Sequence, residues 1–301
     1  MTRRELLRSA GFGIFGLAGG SSIAGMLQEP ESFKGKKTFD RIVAKAAADG
    51  WAKLPIGELM GKIARELEGI PYVGYTIELS KDREMCAVDF TGLDCVTFFE
   101  NTLDLARMIK RGRHRPEDLM AEVTFTRYRN GRLGDYTSRL HYTTDWFYDN
   151  ERKGVVKILT PELPGAEPFT QKVGYMTEHP ESYRQLAAHP ELVPKIGAFE
   201  AKINARSLTY LPMDRLAEAE TLLKTGDIVG VCTTAEGLDI AHTGLVYKDE
   251  QGVAHFMDAS SAKSRMKVTL EGRISESLNW SKKLTGVMIA RPLELKRGPR
   301  D

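Results

Sequence analysis

Residues 91–110 read TGLDCVTFFENTLDLARMIK, and this stretch decides the first part of the fold. Apolar side chains recur in it every three or four residues, as on a helix that packs against a core: Val96, Phe99, Leu103 and Ala106. Thr91 or Asp94 can cap the start. The stretch therefore predicts a long helix from about residue 93 to residue 110, with Cys95 in its first turn.

Helices are expected before this stretch and strands after it. The spacing of apolar residues predicts helices over 38–48 and 56–67, followed by short extended segments at 75–79 and 85–90. A short helix is expected at 214–223. Four Val/Ile/Met-rich segments bounded by turn residues then predict an antiparallel sheet: 227–232, 243–247, 254–257 and 286–291. Helices first and strands last favour an α+β fold.

The middle of the chain, from about 111 to 211, is interpreted as an elaboration and not as a linker. It holds an aromatic, polar run at 128–148 and several Pro-containing segments, and apolar residues are spread throughout it. We expect it to form its own short helices and strands within a single domain over 28–301.

The N-terminus has the features of an export signal. Arg3 and Arg4 precede a Gly-rich apolar stretch at 10–20, and small residues follow at 22–24. This layout predicts a twin-arginine signal peptide over 1–27, which the twin-arginine export machinery would recognise, and a periplasmic location. The apolar stretch is too short and Gly-rich for a permanent membrane span, which needs about 20 apolar residues.

Composition excludes several other classes of protein. The 43 Lys and Arg residues nearly balance the 41 Asp and Glu residues, so no strong field favours nucleic acid as a partner. The chain lacks the glycine patterns that bind nucleotides and the His-Glu-x-x-His pattern of zinc peptidases. We therefore expect neither a cofactor nor a metal ion.

The three cysteines cannot all pair with one another, so at least one is a free thiol within a single chain. Cys86 and Cys232 lie among apolar, strand-like residues and are expected to be small buried side chains. A disulfide between these two stays open at this point. Cys95 differs, because the partial positive charge at a helix N-terminus stabilises a thiolate, the nucleophilic form of cysteine.

A cysteine nucleophile needs a base that later returns a proton to the leaving amine. Among the six histidines, His242 begins a predicted strand directly after a turn, and Asp258 lies on the next strand. These positions predict a Cys95–His242–Asp258 relay in which the acid orients the ring. The alternative is that both are ordinary residues at strand ends.

Five motifs occur in an order that resembles the NlpC-type papain-like cell-wall hydrolases: GIPY at 69–72, LDC at 93–95, KTGDIV at 224–229, IAHTG at 240–244 and MDASS at 257–261. Two further segments resemble the AmiA-type branch, described as N-acetylmuramoyl-L-alanine amidase-like: CVTFFEN at 95–101 and SRLHYTTDW at 138–146. The similarity covers nearly the whole chain after the signal. It implies a papain-like core, with helices packed on a small antiparallel sheet or half-barrel.

The resemblance also implies roles for particular residues. Cys95 and His242 would form the catalytic dyad, with Asp258 at the orienting position, where much of the superfamily has His or Asn. Tyr72 matches the family's active-site tyrosine and is expected near the oxyanion or the substrate, and Ser260, in the last motif, is expected to bind substrate. The run 139–146 either packs the elaboration or forms a wall of the substrate cleft. On the second interpretation the binding residues would be Arg139, Tyr142, Asp145 and Trp146.

The reaction implied is hydrolysis of the amide between N-acetylmuramic acid and L-alanine in peptidoglycan fragments (muropeptides), through a cysteine thioester. One alternative is the γ-D-glutamyl-diamino-acid endopeptidase activity that is common in the wider superfamily. A second is a catalytically silent protein that binds muropeptides in the same cleft.

Overall fold

A computed structural model describes residues 32–296, so the predicted signal peptide over 1–27 lies outside the described residues. The described part mixes helices with an antiparallel sheet, which confirms the α+β prediction. The helices are α1 Lys36–Ala48, α2 Ile56–Leu67, α3 Cys95–Lys110, α4 Pro116–Arg127, α5 Thr143–Arg152, α6 Tyr175–Glu178, α7 Arg184–Ala188, α8 Val193–Asn204, α9 Leu216–Ala219 and α10 Ile274–Ser277.

The strands are β1 Phe33–Lys34, β2 Val88–Asp89, β3 Val156–Ile158, β4 Glu167–Phe169, β5 Leu208–Pro212, β6 Ile228–Thr233, β7 Ile240–Lys248, β8 Ala254–Ser260, β9 Lys267–Arg273 and β10 Leu284–Pro292. The main sheet has the order β4-β5-β10-β6-β7-β8-β9, with β3 also paired to β10, and its pairings are antiparallel. The four strands predicted near the C-terminus correspond to β6, β7, β8 and β10.

Three sequence-based expectations differ from the structure. Strand β9 was not expected, because its residues KVTLEGR are mostly polar, as suits the last strand of a sheet. The segment 75–79 is largely a turn, and 85–90 contributes only the two residues of β2. The helix expected at 214–223 is a short α9 between single turns of 3-10 helix.

Helix α3 is the central helix of the core. It contacts α2 and α4 on one side and strands β7 and β8 on the other. Every residue from Thr97 to Ile109 is buried, including Glu100, Asn101, Asp104 and Arg107. The helix that was predicted to be amphipathic is therefore surrounded by protein on all sides. Its first residue, Cys95, lies at the end that faces the strands carrying His242 and Asp258.

The elaboration at 111–211 is integrated into the same sheet. Its strands β3 and β5 both pair with β10, at different points along that strand. Its short helices α6 to α8 surround a separate apolar cluster: Tyr136, Tyr142, Val173, Met176, Leu186, Ile196 and Ile203. The segment thus extends the sheet at one edge and adds a helical layer beside it.

Candidate active site

The first turn of α3 is fixed by a reciprocal cap. The Asp94 carboxylate accepts a hydrogen bond from the Thr97 amide at 2.7 Å, and the Thr97 hydroxyl accepts one from the Asp94 amide at 2.9 Å. This capping box sets the backbone on both sides of Cys95. It also directs the Asp94 charge to the helix end, as the sequence analysis expected of this residue.

Strands β7 and β8 bring His242 and Asp258 together. The Nε2 atom of His242 lies 2.5 Å from Oδ2 of Asp258. Ala241 is the extra residue of a β-bulge against β6, and such bulges re-aim the neighbouring side chain. Gly244 allows the close approach of β8, because a Cβ there would lie 2.6 Å from the carbonyl oxygen of Met257.

The side chain of Cys95 lies close enough to the imidazole to raise its pKa. Because Asp258 takes Nε2, the ring nitrogen left for the sulfur is Nδ1. The structure thus brings together the three residues predicted as a relay. Cys95 is partly exposed, whereas Asp258 is buried.

The charge state of His242 follows from two opposing effects. Burial lowers the pKa of the imidazole, because it disfavours a charged ring. The interaction with Cys95 and the hydrogen bond to Asp258 together outweigh burial and raise that pKa from 6.5 to about 10. The raised pKa favours a ring that holds a proton beside the sulfur.

A second acid lies close to this cluster. Burial, and then repulsion from Asp258, raises the pKa of Glu271. Arg265 pairs with Glu271 at 2.8 Å. The second carboxylate oxygen of Asp258, Oδ1, is buried and makes no hydrogen bond with the described residues.

The cluster opens into a cleft of about 1190 Å³. The lining comes from the loop 72–78, the first turns of α3, the segments 136–143 and 181–184, the start of β7, and the segment 258–280. Cys95, His242 and Asp258 all belong to this lining. A nucleophile, a proton carrier and its carboxylate therefore face one shared space.

Three of the residues predicted to bind substrate line this cleft: Tyr72, Arg139 and Ser260. The Tyr72 backbone is held by a hydrogen bond from its amide to the carbonyl of Met266 at 2.9 Å. The Arg139 guanidinium is nearly buried and pairs with Glu78 at 3.2 Å and Glu84 at 3.1 Å.

The other three lie in the interior, outside the lining of the cleft. Tyr142 donates to Glu200 at 2.7 Å, and the Trp146 indole donates to Glu100 at 2.9 Å. Asp145 pairs with two arginines, Arg129 and Arg206, each at 2.7 Å. These side chains are buried because α5 turns them toward α3 and α8, so here the packing interpretation of the run applies.

The motif at 138–146 nevertheless stabilises the active site, through contacts outside the cleft. At the start of α5, the hydroxyl and amide of Thr144 donate to Asp239 Oδ2 at 2.8 and 2.9 Å. Asp239 lies three residues before His242 in the turn that leads into β7. The motif at 138–146 therefore holds the turn that positions the histidine.

Sequence reasoning missed Trp280 as a residue of the site. Its side chain is 44% exposed, lines the cleft and packs edge-to-face on His242 with ring centroids 5.6 Å apart. A lone tryptophan in the polar turn after α10 was the available signal, because an aromatic residue outside any apolar pattern has no core to join.

The other two cysteines are free, buried thiols, with no disulfide between them. Burial raises the pKa of both the Cys86 and the Cys232 thiol. Both are therefore poor nucleophiles compared with an accessible thiol.

Within residues 32–296, no three His, Cys, Asp or Glu side chains are grouped so that they could hold a metal ion. None of the helices in that part of the chain is both long and apolar enough to cross a bilayer.

Several solved structures are similar to this chain. An N-acetylmuramoyl-L-alanine amidase from Bacteroides uniformis is 30% identical, with 79% of this chain and 99% of that chain covered and a TM-score of 0.72. A Bacteroides fragilis protein provisionally named a xylanase is 31% identical, with 76% and 98% covered and a TM-score of 0.68. A Legionella pneumophila protein, 18% identical with 86% and 94% covered and a TM-score of 0.65, shows the fold alone. Curated proteins give no match.

The sequence pattern of one family matches residues 62–278, more than half of the chain. The matched part contains Cys95, His242 and Asp258. The resemblance to the AmiA-type branch, inferred from the segments at 95–101 and 138–146, is confirmed. The chain belongs to the AmiA-like family, described as N-acetylmuramoyl-L-alanine amidase-like.

Proposed function

We propose that the protein is a peptidoglycan amidase that hydrolyses the N-acetylmuramoyl-L-alanine amide of muropeptides through a thioester on Cys95. One observation carries the proposal: His242 is hydrogen-bonded to Asp258, interacts with Cys95 and lines one large cleft together with both residues. The family description and the Bacteroides uniformis structure support the choice of amide.

The first half of the reaction breaks the amide. The Cys95 sulfur attacks the lactyl carbonyl carbon, and a new C–S bond forms while the carbonyl oxygen becomes negative. His242 then gives its proton to the nitrogen of L-alanine, and the C–N bond breaks. The stem peptide leaves with a free amine, and the muramoyl group stays on the sulfur as a thioester.

The second half restores the enzyme. His242, now neutral, takes a proton from water, and the water oxygen attacks the thioester carbon. The C–S bond breaks, muramic acid leaves with a free carboxyl group, and the sulfur and imidazole return to their starting charges. No oxidant, reductant or cofactor enters this balance.

The Cys95 amide and Tyr72 have separate roles in this proposal. The amide of Cys95 lies at the first position of α3, where backbone N–H groups have no partner within the helix. Tyr72 lines the same cleft and pairs through its backbone with Leu93, two residues before the nucleophile. We assign the Cys95 amide to the oxyanion and Tyr72 to the substrate beside it.

The same proposal extends to the superfamily and to location. A cysteine at the start of a helix, packed on antiparallel strands that carry the histidine and the acid, supports a papain-like core. The residue pattern over 1–27 supports export through the twin-arginine route to the periplasm. Attaching residues 1–27 to a reporter protein, with Arg3→Lys and Arg4→Lys together as the control, tests that route.

The activity is tested by digesting a defined muramoyl-tetrapeptide and weighing the products by mass spectrometry. We expect free N-acetylmuramic acid and an intact stem peptide. The Cys95→Ala variant should give no product, and the matched control Cys86→Ala should give normal amounts. Iodoacetamide should label Cys95 before the buried thiols.

Each alternative result of this digestion would indicate a different function or mechanism. A sugar product that retains L-Ala-D-Glu would show that the protein is a γ-D-glutamyl endopeptidase and not an amidase. Binding without any product would indicate a silent muropeptide-binding protein. Full activity in Cys95→Ala would exclude the thioester.

A further inference from the structure

Trp280 offers an exposed apolar surface inside the cleft. The other two tryptophans of the chain, Trp51 and Trp146, are 4% and 2% exposed and belong to the core, whereas Trp280 is 44% exposed. Leaving apolar surface in water forgoes about 25 cal/mol for each Å² that could be buried. An indole held open beside a candidate catalytic histidine is therefore available for a ligand.

The surroundings of Trp280 indicate the class of ligand. Glu276, Ser277 and Asn279 line the same part of the cleft and provide carboxylate, hydroxyl and amide groups. An apolar face edged with hydrogen-bonding groups matches a pyranose ring, whose C–H face is apolar and whose hydroxyl and acetamido rim is polar. Tryptophan combines a large flat surface with low flexibility, which suits such a ring.

The position of Trp280 agrees with the geometry of the substrate. In muramic acid, three bonds separate the sugar ring from the scissile carbonyl carbon, a reach of roughly 4 Å. A carbonyl at the Cys95 sulfur therefore places the sugar next to the His242 imidazole. Trp280 packs against that imidazole, with ring centroids 5.6 Å apart.

We infer that Trp280 forms the sugar subsite, where the N-acetylmuramoyl ring stacks on the indole while its lactyl carbonyl lies at Cys95. This inference rests on the proposed amidase function and adds a binding residue to it. A different role is that Trp280 only shields the His242–Asp258 hydrogen bond from water. The two roles differ in substrate dependence, because a shield acts on every substrate and a subsite acts only on those with a sugar.

The test compares a muramoyl-peptide with a D-lactoyl-peptide that has the same scissile amide and no sugar. For Trp280→Ala we expect KM to rise about tenfold on the muramoyl-peptide and to change less than about twofold on the lactoyl-peptide. Trp280→Phe should fall between. Leu222→Ala, an exposed residue outside the cleft lining, is the control and should change neither substrate.

Equal losses on both substrates, with a changed pH profile, would overturn the subsite in favour of the shield. A second measurement does not depend on catalysis: calorimetric binding of N-acetylmuramic acid methyl glycoside to the Cys95→Ala protein. We expect Trp280→Ala to abolish this binding in that background. If the protein binds the sugar through Trp280 but does not cleave the amide, only the amidase function is rejected. If it cleaves both substrates and Trp280→Ala does not distinguish between them, only the sugar subsite is rejected.

Discussion

The segments 139–146 and 258–280 each contain one tryptophan and several charged side chains, but they differ in their relation to the cleft. The first is a dense aromatic and charged run, and the structure buries its tryptophan at 2% exposure. The second is mostly polar, and the structure leaves its only tryptophan 44% exposed beside His242. Aromatic density along a sequence therefore indicates packing, and an isolated aromatic residue in a polar turn is the better indication of binding.

The difference has an energetic basis. Charges in the first segment are enclosed and paired with opposite charges, as with Asp145 between Arg129 and Arg206. In the second segment the charged groups Asp258 and Arg265 line the cleft, and Arg265 is 45% exposed. Variants in the first segment should therefore lose stability with little loss of turnover, and variants around the cleft should lose turnover with little loss of fold.

The largest expected effect concerns the histidine that faces the cleft. His242→Ala should lower kcat by roughly 10³-fold, because proton transfer to the leaving amine is lost. The matched control is His255→Ala on strand β8, whose ring pairs with Asp249 at 2.9 Å away from the cleft lining. Steady-state kinetics on the muramoyl-peptide measure both. A His242→Ala enzyme with a tenth of normal kcat would contradict the assignment.

The next effect tests the buried segment. Asp145→Ala should lower the free energy of unfolding by about 3 kcal/mol, because it removes a buried carboxylate and leaves two partly buried arginines without their partner. The control is Asp40→Ala, an exposed partner of Lys36, which should cost less than about 1 kcal/mol. Urea unfolding gives the stability, and kcat per folded molecule should stay unchanged in both. A loss of kcat without a loss of stability in Asp145→Ala would place this residue in the site after all.

The sequence predicted those parts of the molecule that local patterns determine. The helix of Cys95 and the strands of His242 and Asp258 have strong apolar patterns, and the ordered motifs around them led to the prediction that these three residues act together. Contact among these three residues was also predicted, although it joins segments that are far apart in the sequence. That contact depends on one register of β7 against β8. The capping role of Asp94 followed from its place before the helix.

The parts that were missed depend on tertiary structure. Nothing in the run 139–146 distinguishes a side chain that faces a cleft from one that faces another helix, so Tyr142, Asp145 and Trp146 were expected in the cleft with Arg139. Strand β9 has too little apolar character to be recognised and forms because β8 offers it an edge. Trp280 gained its role only when the chain folded back against His242.

The smallest effect at neutral pH is expected from Asp258→Asn, and it refines the account of the cleft. An amide oxygen can still accept the hydrogen bond from His242 Nε2, so we expect a smaller loss of kcat at pH 7 than in His242→Ala. The groups that act on His242 are the Cys95 sulfur, Asp258 and, more distantly, Glu271. Removing the Asp258 charge should lower the pKa of the imidazole.

The sign of the pH effect follows from that raised pKa. His242 is an acid in the first half-reaction, so wild-type activity should fall as pH rises through about 10. In Asp258→Asn this alkaline fall should begin at lower pH. Stability follows the same direction: the contribution of the protonated ring is complete below its unfolded pKa of about 6.5 and is lost as pH rises through the folded value. Imidazole NMR titration and kcat profiles measure both effects, and an unchanged alkaline limb would mean that Asp258 orients the ring without stabilising its charge.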